Sequence, residues 1–262
     1  MSLLTVRDVS HIYFSKDAKT AALLDISFSV REQEFVSLVG PSGCGKTTLL
    51  SIMAGLMEPT VGKVTLEDEK VHPKSRKIGY MLQQDYLFPW KTVEENILIG
   101  LKLTRQLNEE TRRKTLSLLH EIGLRGVEKQ YPAQLSGGMR QRAALVRTLA
   151  TDPKILLLDE PFSALDFQTK LKMEELVYRT LKHYRKTALL VTHDIGEAIA
   201  MSDRVILLSN RPGTVRKIFA IPEEIRALPP FLARQHPDFQ RLFDMIWKEL
   251  ENLEPSEQRT PS

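Results

Sequence analysis

Gly40-Pro-Ser-Gly-Cys-Gly-Lys46-Thr47 matches the pattern G-x-x-x-x-G-K-[ST]. The compact apolar run Phe35 to Val39 before it reads as a buried strand, and residues 47 to 57 after it read as a helix. That context is the one phosphate chemistry needs. Glycines let the backbone turn so that its N–H groups face inward around phosphate oxygens. Lys46 can neutralise β- and γ-phosphates, Thr47 can offer a hydroxyl to Mg²⁺, and the helix adds its positive end. A chance match in a glycine-rich turn is the bland alternative, and the flanking elements argue against it.

Two further runs extend this chemistry. Ile155-Leu-Leu-Leu-Asp159-Glu160 reads as a buried strand ending in two acids. Asp159 is placed to reach Mg²⁺, directly or through water. Glu160 is placed to polarise an attacking water, because hydrolysis of a γ-phosphate needs an oriented nucleophile more than covalent chemistry. Two acids at a strand end are common in isolation; with Lys46 in the same chain they gain meaning. Leu135-Ser-Gly-Gly-Met-Arg-Gln-Arg142 puts Ser136 and two glycines at a helix start, a second anion-binding N-terminus. As an isolated string it is equally an ordinary loop followed by a cap. Ser136 lies 23 residues before Asp159 and 90 after Lys46, which is what makes the set specific.

In this order the motifs resemble those of the ATP-binding subunits of ABC transporters, over residues 3 to about 210. The resemblance implies ATP and Mg²⁺ as ligands. It places Tyr13 on the adenine and Gly40, Pro41, Ser42, Gly43, Cys44, Gly45, Lys46, Thr47 and Thr48 around the phosphates. Ser136, Gly137 and Gly138 match the signature, which departs from many members at Met139, where Gln is usual. Gln83 matches the Q-loop glutamine, Ser163 to Asp166 the D-loop, and His193 the switch histidine. Catalytic roles follow for Glu160, His193 and Gln83, and metal-binding roles for Thr47, Gln83 and Asp159. Tyr13, Gln83 and His193 each have a plain packing or capping reading when taken alone. Cys44 occupies a variable position of the loop, so a redox role is the weaker reading. In the family a signature cannot reach its own phosphate loop, which implies a head-to-tail homodimer with ATP shared between Lys46 of one copy and Ser136 of the other.

These residues need elements to hold them. Alternation in Leu3 to Val9 and Leu24 to Val30 predicts two antiparallel strands, and Val61 to Leu66 and Lys77 to Leu82 two more. From Trp90 to Ala150 the pattern is helical, with Asn108 as an N-cap ahead of Leu116, Leu119 and Ile122. Strands return at Ile155 to Leu158, Ala188 to Val191 and Val205 to Leu208. Met173, Leu176, Val177, Leu181 and Tyr184 form a core-facing helical stripe between the first two. Strand–helix alternation implies a mostly parallel sheet covered on both faces. With the resemblance, the fold class is α/β: a P-loop NTPase (RecA-like) core, an antiparallel β subdomain and an inserted α-helical subdomain. The expected division is a cassette over 1–210, with the helical insertion at about 84–150, and a C-terminal extension over 211–262. After Arg211-Pro-Gly213, Pro222, Pro229 and Pro230 are expected to block regular structure. Phe239 to Leu253 reads as one last helix, and the final nine residues as disordered.

The chain has 262 residues, a net charge of +4 and no long run of like charge, so charge alone points to no acidic partner. The single cysteine excludes an internal disulfide and a cysteine-built zinc site. The first residues lack the apolar core of a signal peptide, and no stretch approaches the ~18 apolar residues of a spanning helix. The resemblance therefore implies two separate transmembrane permease subunits, an extracytoplasmic solute-binding protein acting through them, and a peripheral position on the cytoplasmic face of the membrane. Tyr86 to Trp90 concentrate apolar area and form the expected docking surface, although Leu87 and Phe88 also fit interior packing. Leu87-Phe-Pro-Trp90 and the tail from Arg211 resemble an importer branch serving nitrate, sulfonates, taurine or pyrimidine-type vitamin precursors. No nucleic-acid partner is expected, since no interleaving of aromatic and basic residues suggests a nucleic-acid groove. A soluble ABC-type ATPase acting on nucleic acid or the ribosome, a catalytically dead scaffold and an exporter cassette are the alternatives; Glu160 and His193 count against the dead cassette.

Overall fold

The computed structural model describes residues 2–15 and 18–253. The chain forms two compact units, Met1–Pro73 with Thr187–Ser262, and Lys74–Lys186. The first contains β1 (Ser2–Phe14), β2 (Lys19–Arg31), β3 (Phe35–Val39), α1 (Lys46–Met53), β4 (Val61–Leu66) and β5 (Glu69–Lys70). The second contains β6 (Ile78–Met81), α2 (Val93–Leu103), α3 (Glu109–Glu121), α4 (Gly137–Leu149), β7 (Ile155–Asp159) and α5 (Phe167–His183). The chain then returns to the first unit with β8 (Thr187–Val191), α6 (Ile195–Met201), β9 (Arg204–Leu208), β10 (Val215–Ala220), α7 (Glu223–Arg226), α8 (Pro230–Ala233) and α9 (Phe239–Glu251).

In the first unit β2, β1, β4 and β5 form an antiparallel sheet, while β9, β3 and β8 run parallel and β10 closes their edge antiparallel to β9. β3 and β8 are buried along their whole length, which is why they read as continuous apolar runs rather than alternating ones. Their register pairs Leu38 with Val191, so the loops after both strands leave from one edge. An inward charge pair fixes the opposite ends. Arg204 donates to Glu34 at 2.6 and 3.1 Å and to the Ser29 carbonyl at 2.6 Å, and Glu34 also accepts the Arg31 N–H at 2.7 Å.

The tail is more ordered than its prolines predict. Pro222 and Pro229 are the N-caps of α7 and α8, and Pro230 is the first residue of α8. A helix start leaves its first N–H groups unpaired anyway and suits the fixed proline φ, so these prolines begin helices. β10 escapes the sequence pattern because it is an edge strand with only Phe219 buried. α9 inserts the fully buried Ile246 among Ile199, Phe219, Ile225 and Ala233, with Phe239, Leu242 and Phe243 packed beside it. The expectation of disorder for the last nine residues lies outside the described residues.

In the second unit β6 and β7 are a parallel pair, with Met81 opposite Leu158. Asn108 caps α3 as expected, accepting the Thr111 N–H at 2.9 Å, and Thr92 caps α2 in the same reciprocal way. Leu119 and Ile122 are buried, as is Leu118, whereas Leu116 is only half-buried. On α5, Met173, Val177, Leu181 and also Tyr178 face the core. Tyr184 departs from the expected stripe. It lies past the helix end, is exposed, and donates to Glu121 at 2.7 Å. Burial of the hydroxyl, and then the Glu121 carboxylate, push its pKa up to about 12. Glu94 ties α2 to α3 through Arg112 at 2.5 Å and accepts Lys129 at 2.8 Å. Lys129 first, then Arg112, hold the Glu94 carboxyl below its ordinary value.

Ile246→Ala is expected to cost about 2–5 kcal/mol, read as a lower urea midpoint, because it opens a cavity where α9 meets the core. The depressed Glu94 carboxyl contributes stability that is present above its unfolded pKa and lost as pH falls through its folded value. Glu94→Gln should therefore flatten part of the acid limb of melting temperature against pH while lowering the neutral plateau.

Candidate functional site

In the first unit, β3 delivers the phosphate-loop residues directly from the buried sheet. At Gly45, φ is +101°, and a Cβ would come within 2.7 Å of Leu23 and 2.9 Å of the Ala22 carbonyl, so no other residue fits. Gly40 is equally confined, by Cys44 and Leu208. Gly43, at φ +74°, meets open space. Lys46 is only 8% exposed, and its ammonium donates to the Gly40 and Pro41 carbonyls at 2.8 Å each. Among the described residues it makes no ion pair. No side chain caps α1, so the N–H groups of its first turn, at Lys46, Thr47 and Thr48, point beyond the helix end. Ser42 lies within the turn closed by the Cys44 N–H on the Pro41 carbonyl at 3.3 Å and is exposed. Cys44 is buried, and burial pushes its thiol above the ordinary value, against the nearby Lys46 charge. Such a thiol is poorly reactive.

Tyr13 lies on β1, partly exposed, with its hydroxyl 3.1 Å from the Thr48 hydroxyl and its ring edge-on to His11. His193 follows β8 and is exposed, between Thr192, whose N–H joins the Leu38 carbonyl at 3.2 Å, and Asp194, the N-cap of α6. The paired ends of β3 and β8 thus bring the lysine loop and His193 to the same sheet edge, where ligands of open α/β sheets bind.

The second unit assembles the remaining candidates. Asp159 is buried at the end of β7, and Tyr80 donates to it at 3.4 Å. Glu160 follows with φ of 44°, a left-handed backbone that turns its side chain out of the strand direction. Gln83, just past β6, donates to Glu160 at 3.4 Å and to Ser163 at 3.3 Å, so the parallel pairing of β6 and β7 brings these residues together. Ser136 is the N-cap of α4, accepting the Met139 N–H at 3.3 Å, and both Ser136 and Gly137 are exposed. Gly138 is demanded by packing, since its Cβ would lie 2.8 Å from the Thr169 methyl of α5. Asp166 caps α5 through the Thr169 N–H, and the Thr169 side chain first, then that N–H, lower its carboxyl pKa.

The apolar segment divides. Leu87 is 6% exposed and Phe88 half-buried, whereas Tyr86 at 57%, Trp90 at 71% and also Pro89 face outward. Sequence reasoning missed Tyr80 beside Asp159, and Asn96, whose amide accepts the Phe88 N–H at 2.7 Å and donates to the Phe88, Lys91 and Thr92 carbonyls. An Asn inside an apolar helical stripe is the signal that could have drawn attention to the second.

The sequence profile of the ABC transporter family matches residues 23–163. The ABC transporter ATP-binding protein YtlC of Bacillus subtilis is 63% identical over 97% of this chain and 98% of its own length. An aliphatic sulfonates import ATP-binding protein, SsuB of Bacillus cereus, is 38% identical over 95% of this chain and 96% of its own. The taurine import ATP-binding protein TauB of Pelagibacter ubique is 36% identical over 97% and 98%. Among solved structures, the dimeric post-hydrolysis state of the ATP-binding cassette MJ0796 with ADP and Pi superposes with a TM-score of 0.74 and 34% identity, covering 84% of this chain and 99% of that one. The mixed α/β fold with its antiparallel sheet is that of an ATP-binding cassette, and the chain belongs to the ABC transporter family as an ATP-binding protein.

Proposed function

We propose that the chain is the ATPase subunit of an ABC importer, working as a homodimer beneath two permease subunits. The observation that carries this reading is the Lys46 ammonium, largely buried on two neutral carbonyls at the mouth of an uncapped helix. A buried cation held only by neutral groups favours an anion beside it.

Each residue then has a role. The loop from Gly40 to Thr48 binds the ATP phosphates, and Tyr13 stacks on the adenine. Glu160 orients the water that attacks the γ-phosphorus, giving ADP and phosphate, and His193 and Gln83 hold the γ-phosphate side of that arrangement. The Thr47 hydroxyl, the Asp159 carboxylate and Gln83 are hard oxygen donors suited to Mg²⁺, with Asp159 already oriented by Tyr80. Mg²⁺, when bound, offsets charge on the β- and γ-phosphates. Ser136, Gly137 and Gly138 of the second copy close over the same nucleotide. ATP favours the closed pair, and its hydrolysis removes the bridge.

No helix among the described residues is long and apolar enough to cross a membrane. In this reading the permeases are separate chains, docked around Tyr86 and Trp90, with this subunit peripheral on the cytoplasmic face and a solute-binding protein on the far side. The cassette is read as residues 1–210, with the helical insertion at about 84–150, and the extension from 211 as its support. The sulfonate and taurine names of the relatives favour a small sulfonate-type anion as the solute.

Lys46→Ala should weaken ATP binding by about 10²-fold or more in calorimetry, because the phosphates lose their main countercharge. Glu160→Gln should run as a dimer in Mg-ATP by light scattering and as a monomer without it. A monomer under both conditions at micromolar protein removes the shared-nucleotide dimer. Affinity purification from solubilised membranes should bring down a polytopic permease and an extracytoplasmic binding protein; ribosomes or DNA in their place would overturn the transporter role.

A further inference from the structure

Residues 83–92 contain no helix or strand, so their backbone polar groups need partners from elsewhere. α4 supplies them. Arg147 donates to the Asp85 carbonyl at 2.6 Å and the Tyr86 carbonyl at 2.7 Å. Arg140 donates to the Asp85 carboxylate at 3.0 Å, and Gln141 to the Gln83 carbonyl at 3.2 Å. Tyr86 sits at φ 43°, a conformation a bulky side chain keeps only where its surroundings impose it, and its carbonyl is one of the two that Arg147 grips. The guanidinium is half-buried between these partners, and burial lowers its pKa while the Asp85 carboxylate opposes the shift.

The helix that begins at the Ser136 cap therefore carries, about one and three turns further along, the side chains that hold Gln83, Asp85 and the exposed Tyr86, just ahead of the exposed Trp90. We propose that Arg147 is a positioning residue that joins residues 83–92 to α4, so that displacement of the signature by ATP is delivered at Tyr86 and Trp90. The planar fork of arginine reaches two successive carbonyls at once, which a lysine ammonium does not reproduce. The inference rests on the docking role proposed above for this segment.

The chain holds two tryptophans, Trp90 and Trp247, so Trp247→Phe leaves Trp90 as the only indole. In a Trp247→Phe, Glu160→Gln background, Mg-ATP is expected to change acrylamide quenching of Trp90. Adding Arg147→Met or Arg147→Lys should reduce that response by about fivefold, with affinity for a fluorescent ATP analogue held within about twofold, because the clamp lies on the docking side and not among the phosphate ligands. Asp85→Asn, which removes the negative charge facing Arg140 and Arg147 and spares the two carbonyl contacts, should give a partial loss and covers the case in which Arg147→Met misfolds. A full Trp90 response in Arg147→Met would overturn the proposal, leaving Gln83 as the route. So would a Trp90 in the background chain that ignores bound ATP. Neither result touches the ATPase reading, which would fail by absence of ATP binding in the background chain. The docking reading would fail by absence of a copurifying permease while the Trp90 response persists.

Discussion

Lys46 is the group on which the architecture around the phosphate loop turns. A nearly buried ammonium is costly unless its environment supplies oxygen, and here the first two residues of its own loop do so. That self-contact requires a tight return of the backbone, which in turn requires glycine where Leu23 and Ala22 press in at Gly45. The turn is held from behind by a strand that is buried throughout. The result is a cation fixed in position at the start of α1.

Parallel pairing does the corresponding work for the other groups. Two strands in register end together, so residues just beyond them are neighbours without any sequence proximity. This brings His193 to the edge that carries the lysine loop, and it brings Gln83 to Glu160. Several residues at these ends serve structure and chemistry at once. Gly138 clears space for Thr169, Ser136 caps α4, and Asp166 caps α5. Substitutions there will mix folding and function, whereas Gly137, whose added Cβ would meet its nearest atoms at 4.0 Å, separates the two more cleanly.

The interior elements were legible because burial writes continuous apolar runs. β3 coincides with Phe35 to Val39, and β7 carries the run Ile155 to Leu158. The N-cap at Asn108 was legible because capping is local chemistry between residues three apart. Edge and surface elements were not. β10 has a single buried residue, Tyr184 finds Glu121 rather than the core, and the tail prolines start short helices whose stability comes from packing around Ile246. In each case the deciding partner is distant in sequence.

From the sequence alone came the motif order, the residue types able to bind phosphate and activate water, and the strand–helix alternation that carries them, because these depend on local spacing. Tertiary structure decided which side chains meet. Tyr80 orients Asp159, Gln83 reaches Glu160 and Ser163, and Arg147 closes on the carbonyls of Asp85 and Tyr86. It also split the apolar segment into a buried Leu87 and an outward Tyr86 and Trp90. Periodicity cannot resolve that split, because a loop without regular structure has no repeat to assign its faces; the side chains of α2 and α4 assign them.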